Sequence, residues 1–340
     1  MLGLGDSVAT PPAGLTADVF VARSFAELEE RAAHASSRIV LINSPFTSYE
    51  ESSSVRVMAA SRAARHGAVA VLVRSIGPPG QRLAHTGVLQ YAPDAPKIPA
   101  AAIASEDADR LQRLSDRGQR TVVRLEMEAH SEGEVESANV IGELRGREKP
   151  DEIVVVGGHL DSWDVGAGAS DDGGGCIVTW EALRLMKKLG LRPRRTVRVV
   201  LFTNEENGTR GGLAYRDTHR AELGKHVAML ESDIGVMRPT GFGLTGSTRA
   251  RATVSAIAAL LDGIGVGRVT PVGGGADIGP SVEAARIPAL SLESEGPYFA
   301  VHHTQADTVD KIDPLEMAKA AAAVAVMTYV IAELPQRLGE

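Results

Sequence analysis

The sequence lacks several features that would place it in a specialised class of protein. Its 340 residues include a single cysteine, so an intrachain disulfide and a cysteine-based metal cluster are both excluded. Cys176 lies inside an apolar helical stretch and is predicted to be a small core residue. Aromatic residues make up only 4% of the chain, and we expect no apolar run of about 18 residues to span a bilayer. These absences predict a globular protein that does not enter a membrane.

An excess of positive charge is also missing. The net charge is −7, whereas a general nucleic-acid-binding protein normally shows a basic face. The densest basic cluster, between Arg192 and Arg198, is expected at the surface of a helix-to-strand connection. No basic segment followed by an apolar stretch opens the chain, so the sequence as given shows no secretion signal.

What is present is an ordinary globular composition, with 44% hydrophobic and 23% charged residues. A polar segment from about 130 to 138 marks a change in pattern. We therefore predict two domains, at 1–130 and 131–340. The first combines short apolar strands at 38–43, 67–75 and 98–103 with a helix at 55–65. It contains no cluster of His, Asp and Glu, so no chemistry is assigned to it.

The second region alternates strands and helices, which predicts an α/β sandwich with a mostly parallel sheet. Strands are predicted at 153–156, 197–202, 227–230 and 287–292, and helices at 177–189, 250–262 and 315–334. The helix at 177–189 is expected to bury one stripe, formed by Ile177, Trp180, Leu183, Met186 and Leu189. In such a fold, ligands bind beyond the carboxyl ends of the strands.

Metal-binding residue types follow all four of these predicted strands. Because parallel strands end at the same edge, we expect these side chains to converge there. In chain order they are His159 and Asp161, Glu205 and Glu206, Asp233, and His302 with His303.

Two aspartates precede the glycines that open the predicted helix at 177–189. Asp172 is expected to cap that helix. Asp171 is the better candidate for a carboxylate that bridges two cations, because the glycines allow the backbone to pack beside the ligand.

Adjacent Glu205 and Glu206 are predicted to point to different sides, so that one binds metal and the other acts as a general base. Either His302 or His303 suffices as a ligand. Two zinc ions about 3.5–4 Å apart would lower the pKa of a bridging water toward about 7. Glu205 would take the proton from that water, the hydroxide would attack the peptide carbonyl, and Glu205 would pass the proton to the leaving amine.

The chain resembles the co-catalytic zinc exopeptidases, which include bacterial aminopeptidases and glutamate carboxypeptidases. The resemblance covers nearly the whole chain. The stretches that carry it are GGHLDSWDVGAGASDDGGG (157–175), TNEENG (203–208), LESDIG (230–235), GGADIGP (274–280) and HHTQADT (302–308), together with LGLGDSVATPPAGLTADVFV (2–21) and HTGVLQYAPDAPKIPAA (85–101).

The resemblance implies a role for each of seven residues and a cofactor of two Zn²⁺ ions per chain. His303 rather than His302 is implied, because the family places its ligand four residues before the Asp of an Asp-Thr pair, here Asp307. The implied roles are one zinc on His159 and Asp233, the second on Glu206 and His303, Asp171 as the bridge, Glu205 as the catalytic base, and Asp161 as the carboxylate partner of the first histidine.

The resemblance also implies features outside the metal site. It identifies 1–130 as a protease-associated domain and implies that an N-terminal part of the catalytic domain is missing from this chain. It implies hydrolysis of dipeptides or short unblocked peptides, a secreted or periplasmic location, and a homodimer.

Three other functions compete with that of a zinc exopeptidase. A peptidase-like binding module without activity would have lost metal ligands, whereas all six metal-site positions, the five ligands and the base Glu205, are present here. A zinc amidase or deacylase acting on non-peptide amides stays open, because a metal site does not define the acyl group. GFGLTG (241–246) fits a dinucleotide-binding motif, but a helical stretch rather than a second strand leads from it to Asp262.

Overall fold

The computed structural model describes residues 1–340, which form two compact units. The first unit comprises Met1–Val135 and Phe299–Ala306, and the second comprises Glu136–Tyr298 and Asp307–Glu340. The assignment of the first unit as a protease-associated domain remains a prediction.

The first unit contains a six-stranded sheet and three helices. Its strands are β1 (Leu2–Gly3), β2 (Leu15–Ala22), β3 (Ile39–Ile42), β4 (Ala70–Arg74), β5 (Ala100–Ile103) and β6 (Val122–Leu125), and its helices are α1 (Phe25–Glu30), α2 (Tyr49–Arg65) and α3 (Ser105–Asp116).

The strand order in this sheet is β1-β5-β4-β3-β2-β6. The four central strands are parallel, and the two edge strands are antiparallel to their neighbours. Strands β3, β4 and β5 are buried on both faces, which explains their continuous apolar sequences. Sequence analysis predicted these three strands and α2, but not the edge strands.

The second unit contains a seven-stranded sheet with helices on both faces. Its strands are β7 (Val140–Leu144), β8 (Lys149–His159), β9 (Arg195–Phe202), β10 (His226–Glu231), β11 (Arg238–Thr245), β12 (Arg268–Thr270) and β13 (Ala289–Glu295). Its helices are α4 (Gly174–Lys188), α5 (Arg210–Thr218), α6 (Thr248–Ala258), α7 (Gly279–Ala285) and α9 (Pro314–Glu333). The short helix α8 (Tyr298–Val301) begins at Tyr298 of the second unit and continues into the segment that belongs to the first.

The order in this sheet is β12-β11-β13-β10-β8-β9-β7. Strands β13, β10, β8 and β9 are parallel to one another, whereas β7 and β11 run antiparallel to their neighbours in this group. The sheet is therefore mixed with a parallel centre, which confirms the predicted α/β class. Gly241 and Gly243 of GFGLTG lie within β11 and only Gly246 follows it, so the dinucleotide-binding motif is accidental.

Two apolar cores cover the faces of this sheet. One face packs against α4, α6 and α9 and includes Val178, Val254 and Val324. The opposite face packs against α5 and α7 and includes Tyr215 and Ile278. The helices therefore form a layer on each side of the sheet.

Helix α4 buries only part of the stripe that its sequence predicted. Met186 is 1% exposed, but Ile177 and Trp180 are about half exposed and Leu189 is 68% exposed. Val178 and Ala182, which lie outside the stripe, are fully buried. Gly174 and Gly175 at the helix start allow the close approach to the sheet, since a Cβ on Gly175 would lie 1.9 Å from the carbonyl oxygen of Ser232. Small residues therefore form most of the buried face.

One helix is long and apolar enough to cross a membrane, so the expectation that no such run exists is wrong. Helix α9 has a mean hydropathy of 1.6 over an 18-residue window. It packs against the sheet, with Ala323 and Met327 fully buried. Core helices of globular proteins often have this composition.

The basic cluster is also more buried than its sequence predicted. Arg195 and Arg198 are buried strand residues rather than surface residues. Arg195 pairs with Glu152, and Arg198 pairs with Glu143 and Glu222. A buried guanidinium requires such partners.

Candidate metal centre

Three neighbouring parallel strands bring the predicted residues of the second unit to one edge of the sheet. His159 is the last residue of β8, Glu205 and Glu206 follow β9, and Asp233 follows β10. Strand β8 lies between β10 and β9 and is parallel to both. Their carboxyl ends therefore meet at one edge, as the sequence predicted.

The imidazole of His159 is the centre of a buried donor cluster. Its Nε2 atom lies 3.1 Å from Oδ1 of Asp233 and 3.4 Å from Oδ1 of Asp171. Ligands bound about 2.0–2.1 Å from one tetrahedral zinc ion lie about 3.3 Å from each other. The distances of both carboxylates from Nε2 and the chemistry of the donors therefore fit a zinc ion.

The other nitrogen of this ring contacts Asp161 in a way that differs from the expectation. The Nδ1–H of His159 donates to the main-chain carbonyl of Asp161 at 2.8 Å, whereas the carboxylate of Asp161 lies 4.0 Å away. The carbonyl therefore orients the ring and leaves the lone pair on Nε2.

The carboxylate of Asp161 instead holds the loop that carries both glutamates. Its Oδ1 accepts the N–H of Glu205 at 3.0 Å, and its Oδ2 accepts the N–H of Glu206 at 3.2 Å. The loop then turns back on itself, since the carbonyl of Glu205 accepts the N–H groups of Gly208 and Thr209. Asp161 therefore fixes the main-chain positions of Glu205 and Glu206.

The two adjacent aspartates before α4 have different surroundings. Asp172 has both carboxylate oxygens occupied, by the N–H of His159 at 3.0 Å and that of Gly175 at 3.0 Å. It lies close enough to His159 and Asp233 to be considered a ligand. Because its oxygens hold main-chain amides, it acts as the predicted cap of α4, and Asp171 is the better ligand.

Cys176 contributes to this arrangement without being reactive. It is buried, and its thiol donates to the main-chain carbonyl of His159 at 2.9 Å. Burial raises the pKa of this thiol to about 12, so it stays protonated. This confirms its prediction as a core residue.

The carboxylates of the cluster shift the pKa values of their neighbours. Burial disfavours charge on His159, but Asp171 and Asp233 raise the pKa of its imidazole well above the usual range. Burial, followed by the charge of Asp233, raises the pKa of Glu205 to about 8. So many acidic groups in a buried site favour the binding of cations.

Two buried carboxyl groups beside this site were not predicted from the sequence. Glu231 and Asp277 are each 1% exposed, and burial raises the pKa of both, with a further contribution from neighbouring acidic groups. Glu231 accepts the N–H of Ile278 at 2.9 Å, and a Cβ on Gly275 would collide with its carboxyl group. Both residues lie in quoted motifs, LESDIG and GGADIGP, which were the available signal.

Tyr298, at the start of α8, lies beside Asp233. It is 7% exposed, and its hydroxyl donates to the main-chain carbonyl of Asp233 at 3.3 Å. Its ring packs closely against Gly235. Tyr298 therefore supports the chain around Asp233 as a buried residue.

His302 and His303 belong to the segment that clusters with the first unit. Both are buried, and their rings stack with centroids 3.6 Å apart. His303 is held on both sides by Thr86, whose N–H donates to the carbonyl of His303 and whose carbonyl lies 3.3 Å from Nδ1. The choice of His303 as the ligand remains a prediction.

Comparison with known proteins identifies the family. The Peptidase family M28 model matches residues 139–328. Carboxypeptidase Q of Mus musculus is 44% identical over 339 residues, which cover 99% of this chain and 72% of that protein. Human carboxypeptidase Q is 42% identical over 338 residues with the same coverage. The sequence motifs of the metal site resemble those of carboxypeptidase Q in particular, and these matches confirm the resemblance.

Solved structures agree with this result. A Peptidase M28 precursor from Shewanella amazonensis SB2B has a TM-score of 0.94 and 36% identity, covering 99% of this chain and 78% of that chain. The zinc aminopeptidase BSAP from Bacillus subtilis has a TM-score of 0.70 and 22% identity, covering 100% and 81% of the two chains, and supports the fold alone. A zinc cofactor agrees with the donor set described above. The chain is therefore a metallopeptidase that belongs to Peptidase family M28.

Proposed function

We propose that this chain is a zinc-dependent exopeptidase that hydrolyses dipeptides or short unblocked peptides, with Glu205 as the general base. The observation that carries the proposal is the cluster of His159, Asp171 and Asp233, whose donor atoms have the spacing of zinc ligands. Glu205 lies on the adjacent strand end and is influenced by the charge of Asp233.

The donor set suits two zinc ions with one shared carboxylate. When bound, the ions would lower the pKa of the attacking water and stabilise negative charge on the carbonyl oxygen of the substrate. The residues proposed to hold them are His159 and Asp233 for one ion, Glu206 and His303 for the other, and Asp171 for both.

The remaining residues of the site place and move the proton. Glu205 takes a proton from the attacking water and returns it to the leaving amine. The amides of Glu205 and Glu206 are held side by side on the carboxylate of Asp161. This arrangement allows one glutamate to remain a base while its neighbour binds metal.

The names of the relatives support a peptide substrate. Two relatives carry the name carboxypeptidase, so the proposal adopts cleavage at a chain end. One neighbour is described as a precursor, in line with the predicted secreted or periplasmic location. The protease-associated domain at 1–130 and the homodimer remain part of the proposal.

Replacing the base tests the mechanism. We expect Glu205→Gln to lower kcat by about 10²–10⁴-fold, because a general base contributes about that much. Zinc content, measured by atomic absorption on the purified protein, should remain at two per chain. Glu181→Gln is the matched control, since Glu181 pairs with Arg184 on the exposed face of α4. Its kcat should equal that of the original chain.

Retained turnover in Glu205→Gln would remove Glu205 from the mechanism. The substrate class is tested separately, by comparing hydrolysis of free dipeptides with that of acylated amino acids. Faster hydrolysis of acylated amino acids would replace the exopeptidase assignment with an amidase or deacylase.

A further inference from the structure

Asp307 uses three acceptor atoms to hold the segment that carries Asp171. Its Oδ1 accepts the N–H of Ser170 at 2.7 Å, and its Oδ2 accepts the N–H of Asp171 at 3.1 Å. Its main-chain carbonyl accepts the N–H of Ala167 at 2.9 Å. Asp307 is 3% exposed, so water does not compete strongly for these bonds.

The segment between β8 and α4 requires such support. The backbone of Asp171 has φ −129° and ψ 85°, outside the helical range, and Ser170 and Asp171 are buried. Buried amides outside regular secondary structure need acceptors from elsewhere. A carboxylate that accepts two of them forms stronger bonds than a neutral acceptor.

The same arrangement recurs at the other strand ends of the site. Asp161 accepts the amides of Glu205 and Glu206, and Asp172 accepts those of His159 and Gly175. The segments that carry His159, Asp171 and Glu206 are thus each held by a carboxylate outside the ligand set.

We propose that Asp307 is a positioning residue for the metal centre: its carboxylate sets the place of the Asp171 carboxylate without binding metal itself. This inference rests on the proposed function. Both oxygens of Asp307 are engaged by amides, which argues against a role as a ligand. The side chain of Asp171 lies 3.4 Å from Nε2 of His159, so a small shift of its backbone would open this spacing.

Asp307→Asn tests the proposal on the full-length protein. Asparagine keeps the size of the side chain but turns an NH₂ group toward one of the two amides, so one hydrogen bond is lost. We expect the affinity for Zn²⁺, measured by competition with a fluorescent zinc chelator, to fall by about 10–100-fold, as is typical when a residue supporting a metal ligand is changed. Because Asp171 is the proposed bridge, both zinc ions should bind more weakly.

Asp313→Asn provides a matched control. Asp313 also accepts two consecutive amides, those of Leu315 at 2.7 Å and Glu316 at 3.2 Å, but it does so at the exposed start of α9. Both amides bind the same oxygen, Oδ1, and asparagine caps helices about as well as aspartate, so this variant should keep its thermal stability and its zinc affinity. A purely structural role for Asp307 would lower the thermal stability of Asp307→Asn and leave its zinc affinity unchanged.

A second variant covers the case in which Asp307→Asn does not fold. Asp307→Glu keeps the charge and moves the carboxylate by one methylene, and it should also weaken zinc binding, together with a fall in kcat at nearly constant KM. Unchanged zinc affinity in whichever variant folds overturns the inference. Failure of the original chain to bind zinc would instead overturn the proposed function, so the two outcomes are distinguishable.

Discussion

At the scale of single residues, buried polar side chains in the second unit are held by several partners at once. His226 at the start of β10 is an example outside the metal site. Its Nδ1–H donates to the carbonyl of Glu222 at 3.1 Å, and its Nε2 accepts the hydroxyl of Tyr215 at 2.8 Å. Burial, followed by the charge of Arg198, lowers the pKa of His226 to about 4, while the carboxylate of Glu222 opposes this and His219 adds to it.

This low pKa predicts a loss of stability in acid. In the unfolded chain His226 takes up a proton near its ordinary pKa of 6.5, whereas in the folded chain it does so only at a pKa of about 4. Its neutral form therefore stabilises the fold fully above pH 6.5, and this contribution, about 3 kcal/mol, is lost as the pH falls to 4.

Denaturant unfolding of the original chain and of His226→Gln between pH 7.5 and about 4.5 measures this effect. The difference in unfolding free energy between the two should shrink as the pH falls, because the variant has no such proton to take up. Parallel curves for the original chain and His226→Gln would contradict the assignment.

At the scale of the element, helix α4 shows how a pattern can be correct in type and wrong in its buried face. The sequence predicted a helix from 177 to 189, and the structure has one from Gly174 to Lys188. The predicted stripe selected the largest apolar residues. The face that packs consists mostly of small residues, because glycine and alanine allow the helix to approach the sheet closely, and Met186 is the only residue of the predicted stripe that is fully buried on it.

Two residues of that predicted stripe give opposite expectations. Met186 is 1% exposed within the core, whereas Leu189 is 68% exposed at the end of the helix. Met186→Ala should lower the free energy of unfolding by about 2–5 kcal/mol through lost burial and a cavity. Leu189→Ala should change it by no more than about 0.5 kcal/mol. Equal effects in chemical denaturation would mean that the stripe faces the core after all.

At the scale of the whole molecule, the proposed metal centre joins the ends of neighbouring strands in the sheet of the second unit. It gathers acidic residues that repel each other when no cation is bound, among them Asp171 and Asp233 around His159. Zinc that binds only the folded chain adds about 2.7 kcal/mol of stability at a concentration one hundred times its dissociation constant.

Metal removal should therefore destabilise the protein. Dialysis against a chelator should lower the thermal unfolding midpoint, and added Zn²⁺ should restore it, whereas Mg²⁺ should not, because it prefers oxygen ligands without imidazole. Asp171→Ala should show a smaller response to the chelator. A midpoint that is the same with and without the chelator would show that zinc does not bind at this site.

The sequence by itself determined the class of fold, the central strands and the convergence of His159, Glu205, Glu206 and Asp233 on one edge. This was possible because buried parallel strands have continuous apolar sequences and their carboxyl ends lie together. Only the tertiary structure decided which atoms make each contact: the carbonyl of Asp161 on His159, its carboxylate on the glutamate loop, and Asp307 on Asp171. All three contacts use main-chain groups, which every residue has, and the last two join residues far apart in the chain, so no pattern of side chains predicts them.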